Sequence, residues 1–336
     1  MVRDVRPLAF QLLRELSHER FTSGVRLAEK FGVSRSIVSN ALNEAGEAGV
    51  EIFRLTRRGY RLAQPIELLD LDRLRLALGT TSNRLNLDVI ETIDSTNTEM
   101  MKRAIAGAPS GAALVAEIQT DGRGRRGRVW HSAFGASLTF SLLWRFQRGA
   151  AQLGGLSLVV GLAVLRTLHQ FGIGKDSVQL KWPNDVVVAE RKLAGVLIES
   201  QGDMLGPTAV VIGIGINMDL PVHVIARIDQ PATDVQRLAG ETVSRNRLLA
   251  EVLRQLVVLL DAFEAEGFAP FKDEWTRAHA LHLKPVRVIS ADGGSVDAMV
   301  RGVADDGALV IQHDGRERLL ASGEVSLRTL RSAKSE

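Results

Sequence analysis

Gly122-Arg123-Gly124-Arg125-Arg126-Gly127-Arg128 matches G-x-G-x-x-G, and the weight given to that match separates two folds. The dinucleotide fingerprint needs a strand before it, a helix start behind it to face pyrophosphate, and an acid ~20 residues on for the ribose. Here Val129-Trp130-His131-Ser132 follows, which is no helix start, and no Asp or Glu stands between Asp121 and Asp176. The dinucleotide fold is excluded. What remains is three glycines and four arginines in seven residues. Glycine lets backbone approach a ligand and lets a loop bend. Arginine offers a permanently charged fork for phosphate or carboxylate. Four like charges this close repel, so the segment reads as a loop that is mobile until it closes over a polyphosphate. A solvated basic loop touching DNA is the plainer alternative.

Outward from this loop, strands and helices alternate between Leu87 and about His282. Ala113–Gln119, Ser137–Trp144, Val178–Lys181, Asp185–Ala189, Ala194–Glu199 and Ala209–Ile216 read as strands. Met100–Ala106, Gly155–Phe171 and Arg247–Gly267 read as helices. The fold class is α+β, with a mixed sheet at the centre.

Three constellations lie on these elements. In Asp94-Ser95-Thr96-Asn97-Thr98-Glu99, Thr96 with Glu99 fits a capping box ahead of the Met100–Ala106 helix. The same hydroxyls and amide at a helix N-terminus suit a polar or anionic ligand, and both readings stand. In Lys181-Trp182-Pro183-Asn184-Asp185, followed by Arg191-Lys192-Leu193-Ala194-Gly195, Pro183 interrupts pairing and leaves Asn184 and Asp185 at a strand start. Lys181 and Lys192 could then neutralise an anion and Asp185 hold Mg²⁺, or the segment is a salt-bridged turn. In Gly213-Ile214-Gly215-Ile216-Asn217, two glycines in an apolar strand let a flat ligand or another backbone lie close, and Asn217 can read a base edge.

Before this domain, leucines at 8, 12 and 16, with Leu13 beside them, keep helical spacing. Val25, Ala28 and Phe31 give a second short helix that stops at Gly32. Ser34 caps a third, with Ile37, Val38, Ala41 and Leu42 inward and Arg35, Ser36, Ser39, Asn40 and Asn43 outward. Ile52–Leu55 and Tyr60–Leu62 then form a hairpin with Arg57 and Arg58 at its tip. This is a winged helix-turn-helix, and its outer residues are placed to meet DNA. A helical interaction module with a solvated polar face is the alternative. Up to Gln64 there are eleven Lys/Arg against seven Asp/Glu, so the basic excess of a chain with net charge +3 is confined to this unit. After Lys284-Pro285, short strands split by Asp-Gly turns predict a small β-barrel.

Composition closes several routes. Of 336 residues, 45% are apolar and 24% charged, the balance of a globular protein, and there is no cysteine. Thiolate nucleophiles, disulfides, iron–sulfur clusters and cysteine-ligated zinc are therefore out. No P-loop and no G-x-S-x-G elbow occur, and His279 with His282 lack acidic neighbours at metal-ligand spacing. The longest apolar stretch, Leu153 to Leu165, is broken by glycines and is shorter than the ~20 residues a bilayer requires. Met1 leads into Arg3, Asp4 and Arg6 with no apolar core behind them, so no secretory signal and no membrane partner are expected.

Taken together, these segments resemble the bifunctional biotin–protein ligases that double as biotin-operon repressors (BirA-type), over about Pro7 to Leu330. The resemblance implies a winged helix over 1–65, a class II synthetase-like catalytic domain over 66–283 and an SH3-like barrel over 284–336. It implies that biotin and MgATP give biotinyl-5′-AMP and that biotin passes to a lysine of a carrier protein such as the acetyl-CoA carboxylase subunit. Carried over, Ser95, Thr96, Asn97 and Gln119 hold the ring end of biotin, and Arg123, Gly124 and Arg125 belong to the loop over the adenylate. Lys192 meets the biotin carboxylate or its phosphate, Trp130 and Asn217 lie near adenine, and Asp185 is the candidate for Mg²⁺. Arg123, Arg125, Arg128, Lys181 and Lys192 are the expected catalytic cations. Arg35, Ser36, Ser39, Asn40, Arg57 and Arg58 are the expected operator contacts, with biotinyl-AMP promoting a homodimer in the cytoplasm. Two features depart from the family pattern. No Phe, Tyr or Trp stands between Trp182 and Phe263, so any cover over adenine there is aliphatic. Asn43-Glu44-Ala45-Gly46-Glu47-Ala48-Gly49 makes a thin end to the recognition helix. A lipoate or octanoate ligase and a repressor that only senses a ligand are the rival readings.

Overall fold

The structure, a computed structural model, describes residues 5–132, 134–174, 177–202, 204–290, 294–321 and 325–329. Helices α1 (Pro7–Arg14), α2 (Gly24–Phe31) and α3 (Arg35–Glu47) precede a hairpin of β1 (Ile52–Leu55) and β2 (Gly59–Leu62). Ser23 caps α2 by accepting from Val25 N–H, and Gly32 ends it in the left-handed region at φ +64°. Ser34 caps α3. Val38, Ala41, Leu42 and Ala45 form one buried stripe of α3 against Phe10, Leu12, Leu13 and Leu27. Ile37 was expected inward but is 39% exposed, because it falls off that stripe. The helix runs on through Gly46 with Ala45 fully buried, so its end is packed rather than loose. In the hairpin Leu55 pairs with Gly59, where a Cβ would sit 2.0 Å from the Thr22 carbonyl oxygen. Only glycine fits there.

This unit is seated on the next. Phe10 stacks on Phe134 with centroids 5.1 Å apart. In the connecting segment the Glu67 carboxylate accepts from Ser244 Oγ, Arg245 N–H and Asn246 Nδ2.

The central domain adds α4 (Leu71–Leu78), β3 (Asn86–Ile93), α5 (Thr96–Ile105), β4 (Ala112–Gln119), β5 (Ser137–Phe146) and α6 (Leu156–Gln170). It continues with β6 (Val178–Lys181), β7 (Asp185–Val188), β8 (Arg191–Gly202), β9 (Thr208–Asn217), α7 (Val222–Ile225), α8 (Val235–Ala239), α9 (Arg245–Glu266) and α10 (Lys272–Ala278). Its seven-stranded sheet has the order β3-β4-β5-β9-β8-β7-β6, with β3 parallel to β4 and the other pairings antiparallel. Leu138, Phe140 and Leu142 of β5 and Ile212, Ile214 and Ile216 of β9 join α6 and α9 in the main core. On the opposite face, Leu143 and Val211 pack under α5 with Met100. Along that same face Thr139 pairs with Gly215 and Ser141 with Gly213, which replaces an apolar floor by a polar one. A buried ion pair, Arg245 Nη1 to Glu117 Oε2 at 2.8 Å, ties α9 to β4, and Arg245 also donates to the Ser137 carbonyl at 2.7 Å.

The C-terminal unit consists of β10 (Pro285–Ser290), β11 (Ser295–Val303), β12 (Leu309–His313), β13 (Arg316–Leu320) and β14 (Val325–Thr329). They form an antiparallel five-stranded sheet in the order β13-β12-β11-β10-β14. Trp182 Nε1 donates to the Gly307 carbonyl at 3.1 Å and anchors this unit beside the β6–β7 turn. No helix among the described residues is long and apolar enough to cross a membrane.

Candidate active site

The helix cap at α5 differs from the expected box. Ser95 Oγ accepts from Thr98 N–H at 3.4 Å, while Glu99 pairs with Arg103 at 3.1 Å. With Ser95 as cap, Thr96 and Asn97 turn into the sheet and are 3% and 4% exposed. Thr96 donates through N–H and Oγ1 to Gln119 Oε1, at 2.8 and 3.0 Å. Ser141 Oγ lies 2.8 Å from Thr96 Oγ1 and donates to Asn97 Oδ1 at 2.5 Å. Ser95, Thr96, Asn97 and Gln119 form the polar side of a small cleft floored by Gly195, Gly213 and Gly215, with Phe140, Val196, Leu197 and Ile214 adding apolar lining. The two glycines of β9 do not wait for a flat ligand. A Cβ on Gly213 would meet Asn97 Oδ1 at 2.1 Å, and one on Gly215 would meet Trp130 Cε2 at 2.3 Å. They make room for those two side chains.

The arginine loop is closed by its own backbone, with Gly124 N–H donating to the Arg128 carbonyl at 2.7 Å and Trp130 N–H to Gly122 at 2.8 Å. Its positive charges do not merely repel one another. Arg123 donates to Thr98 Oγ1 at 3.1 Å and to the Glu199 carboxylate at 2.6 Å, and Arg125 donates to Asn184 Oδ1 at 3.3 Å. Burial, and then the Arg126 charge, push the Arg125 guanidinium below its ordinary pKa, with Asp185 opposing. A cation in a partly dry position favours an incoming anion.

Behind the loop lies a second, larger cleft, lined by Arg125, Arg128, Lys181, Asp185, Lys192 and Asn217. Gly124, Arg125, Trp130, Asn184 and Lys192 line both clefts, so the two meet at these residues. At the junction Lys192 Nζ lies 2.7 Å from Asp185 Oδ1 and 5.6 Å above the Trp130 ring centroid. The Trp130 indole N–H is buried without a partner among the described residues. Asn217 donates to the carbonyls of Lys192 at 3.2 Å and Thr233 at 3.0 Å, so it braces Lys192 and leaves only its own carbonyl oxygen for a ligand. No group of three or more His, Cys, Asp or Glu able to hold a metal occurs among the described residues; Asp185 and Asp229 are the carboxylates that line the larger cleft.

All the expected catalytic and ligand-binding residues thus gather around two joined clefts. Sequence reasoning missed Ser141, Glu199, His131, Ile228 and Asp229. Ser141 carries a detectable signal, a hydroxyl at an inward position of an otherwise apolar strand. His131 is the chain neighbour of Trp130, and Glu199, Ile228 and Asp229 are joined to the site by tertiary contact alone. On the winged helix Arg35, Ser36, Asn40, Arg57 and Arg58 are exposed and Ser39 is half-buried. Arg54 of β1 donates to Asn43 Oδ1 at 2.7 Å, fixing the wing against the outer face of α3.

Comparison with known proteins identifies these units. Residues 9–61 match a helix-turn-helix (HTH) domain, 89–217 the biotin/lipoate A/B protein ligase family and 284–328 the biotin protein ligase C terminal domain. The bifunctional ligase/repressor BirA of Salmonella typhimurium is 38% identical, covering 95% of this chain and 97% of the relative. A biotin--[acetyl-CoA-carboxylase] ligase of Mycobacterium tuberculosis is 32% identical over 77% of this chain and 98% of its own. The structure of biotin protein ligase from Aquifex aeolicus in complex with biotin and ATP superposes with TM-score 0.63 and 30% identity, covering 73% of this chain and 99% of that one. With nearly full-length similarity at that identity, the chain belongs to the bifunctional biotin–protein ligase/repressor family.

Proposed function

We propose that the two joined clefts carry the two halves of biotin adenylation, and that Lys192 stands where they meet. The observation that supports this most is that meeting: hydroxyls and amides line one cleft, cations line the other, and Lys192, Arg125 and Trp130 are shared. The reading assigns Ser95, Thr96, Asn97 and Gln119 to the ureido ring of biotin and the larger cleft to ATP. One biotin carboxylate oxygen attacks the α-phosphorus, a P–O bond forms, and the bond to pyrophosphate breaks. No covalent nucleophile is required. Lys192, Arg125, Arg128 and Lys181 offset the charge of two approaching anions and the charge developing on the phosphoryl oxygens. Arg123 and Gly124 close the loop that keeps water from the mixed anhydride. Asp185 beside a cation-lined cleft suits Mg²⁺ carried in on the phosphates, where one protein carboxylate suffices and the ion would supply charge neutralisation. In the second step the carrier lysine amine attacks the acyl carbon and AMP leaves.

The winged helix gives the same chain an operator-binding function, with Arg35, Ser36, Ser39 and Asn40 toward base edges and Arg57 and Arg58 toward phosphates. Biotinyl-AMP is assigned the corepressor role, acting through a homodimer in the cytoplasm where ATP is available. The test is transfer to an apo-carrier domain with MgATP and biotin, lipoate or octanoate in turn. Mass increase by one biotin on a single carrier lysine is the expected result. Acylation with lipoate or octanoate alone moves the substrate to the sister family, and no transfer with any of them leaves a ligand-sensing repressor.

A further inference from the structure

We infer that Glu199 is a positioning residue for the adenylation reaction, holding the arginine loop and the floor of the polar cleft with one carboxylate. It belongs to neither cleft lining and to none of the sequence segments that carry the chemistry. It projects from β8, the strand that lies beside Gly213 of β9. One oxygen accepts from Arg123 Nη2 at 2.6 Å, and the other from Asn97 Nδ2 at 2.9 Å. Asn97 sits in the polar cleft and Arg123 on the loop above it.

The polarity that follows is fixed in sequence. An ionised carboxylate only accepts, so Asn97 must present its amino group to Glu199. Its carbonyl oxygen is thereby turned to Ser141, which donates to it at 2.5 Å. The Ser141 proton is then committed, while Gln119 is oriented separately, its Oε1 accepting from the Thr96 backbone N–H at 2.8 Å. The Gln119 amino group is left as the donor that faces the cleft. One partly buried anion thus decides which atoms of Asn97 and Ser141 donate and which accept, and the same anion holds Arg123 beside Thr98. Substrate-ring recognition and loop closure share an anchor.

This rests on the biotin-adenylation reading, and the experiment separates the two. Biotin-dependent pyrophosphate exchange is measured for wild type and Glu199→Gln, with biotin and ATP varied in turn, together with biotinyl-AMP released to solution and thermal unfolding. The carboxamide keeps the shape, but it can also donate, and it gives Arg123 no charge partner. The expected result is a rise of about tenfold in KM for biotin, KM for ATP within about twofold of wild type, and several-fold more free biotinyl-AMP. Glu199→Asp, which keeps the charge with shorter reach, recovers part of the biotin KM, and it takes over the test if the carboxamide variant does not fold. Unchanged kinetics in Glu199→Gln overturn the inference, as does a parallel rise in both KM values tracking a lower unfolding temperature. Wild type without biotin-dependent exchange overturns the adenylation reading itself.

Discussion

At the scale of single residues, the site is built as much by atoms that are missing as by side chains that are present. Gly213 and Gly215 are the positions where that is most exact in number, with a Cβ 2.1 Å from Asn97 Oδ1 and 2.3 Å from the Trp130 ring. Gly213→Ala must displace Asn97, which lines only the polar cleft, so KM for biotin rises by about tenfold while KM for ATP stays near wild type. Gly215→Ala must displace Trp130, which lines both clefts, so both KM values rise. Steady-state exchange on the two variants checks this; the reverse pattern would mean the clefts are wrongly assigned. The glycines, the hydroxyl triplet and the arginine run were legible because each is a local cluster of unusual composition. Glu199 was not, since it stands 76 positions from Arg123 in an ordinary strand and only folding brings them together. The capping box was misread by one residue for a similar reason. Ser95 and Thr96 are equally good caps locally, and the Gln119 and Ser141 partners of Thr96 decide between them.

At the scale of elements, most strongly periodic strands and helices fall within two residues of their expected bounds, while α5 starts four residues early, β8 extends three residues further at each end, and the weakly patterned elements were passed over. In α4 leucines at 74, 76 and 78 alternate as in a strand, yet Leu74 and Leu78 are buried one helical turn apart and Leu76 is 84% exposed. Strand β3 is an edge strand, half-buried along most of its length, so its alternation is faint. The arginine loop is the element with the clearest functional test. Arg125→Ala removes the guanidinium bonded to Asn184, and the closure of the loop over the junction weakens with it. Adenylate formation slows with the loss of one cation but is not abolished, while free biotinyl-AMP and acylation of proteins other than the carrier rise, which mass spectrometry of a mixed lysine-bearing protein pool reads directly. Retention of full transfer specificity would show the loop has no such role. Where α10 meets β10, His279 is buried against Trp275, ring centroids 4.5 Å apart, with both nitrogens unpartnered among the described residues. Burial, with the nearby charges of His282 and Lys284, pushes its pKa down to about 3. Between its ordinary value near 6.5 and that figure the unfolded chain binds a proton that the folded chain refuses, so stability falls as pH falls, by about 1.4 kcal/mol per pH unit. Denaturant unfolding at pH 7 and pH 5 should therefore show a steeper loss for wild type than for His279→Gln. Parallel losses would mean His279 titrates normally in the fold.

At the scale of the whole molecule, the central domain packs against both flanking units, and the two clefts lie on the central domain with Leu327 of the C-terminal unit at the edge of the larger one. The main core spans the central sheet and the C-terminal unit, since Val286, Val300 and Ile311 belong to the same cluster as Phe140 and Ile214. The core of the winged helix takes in Ile118 and Phe134, which flank Gln119 and the arginine loop in the chain. On the proposed reading, this packing is the contact through which bound adenylate is expected to act on the winged helix. Operator binding should be steeply salt-dependent, the slope of log K against log salt falling by about one when Arg58 is replaced by Ala, and it should tighten when biotinyl-AMP is added. Fluorescence anisotropy over a salt series checks both, and affinity indifferent to the adenylate would remove the switch. The domain order was legible in the sequence from the change of style at Gln64 and Lys284; the seating of one unit on another was not, because Phe10 and Phe134 announce nothing alone. In the proposed reaction Lys192 joins a biotin cleft to a nucleotide cleft. The direct test is ATP–pyrophosphate exchange by the full chain with Mg²⁺, run with biotin, lipoate and octanoate, for wild type and Lys192→Met. The expected result is exchange with biotin only, and a fall of about 100-fold or more when the lysine cation is removed with its aliphatic stem retained. Exchange that does not require biotin, or that survives in Lys192→Met, would contradict it.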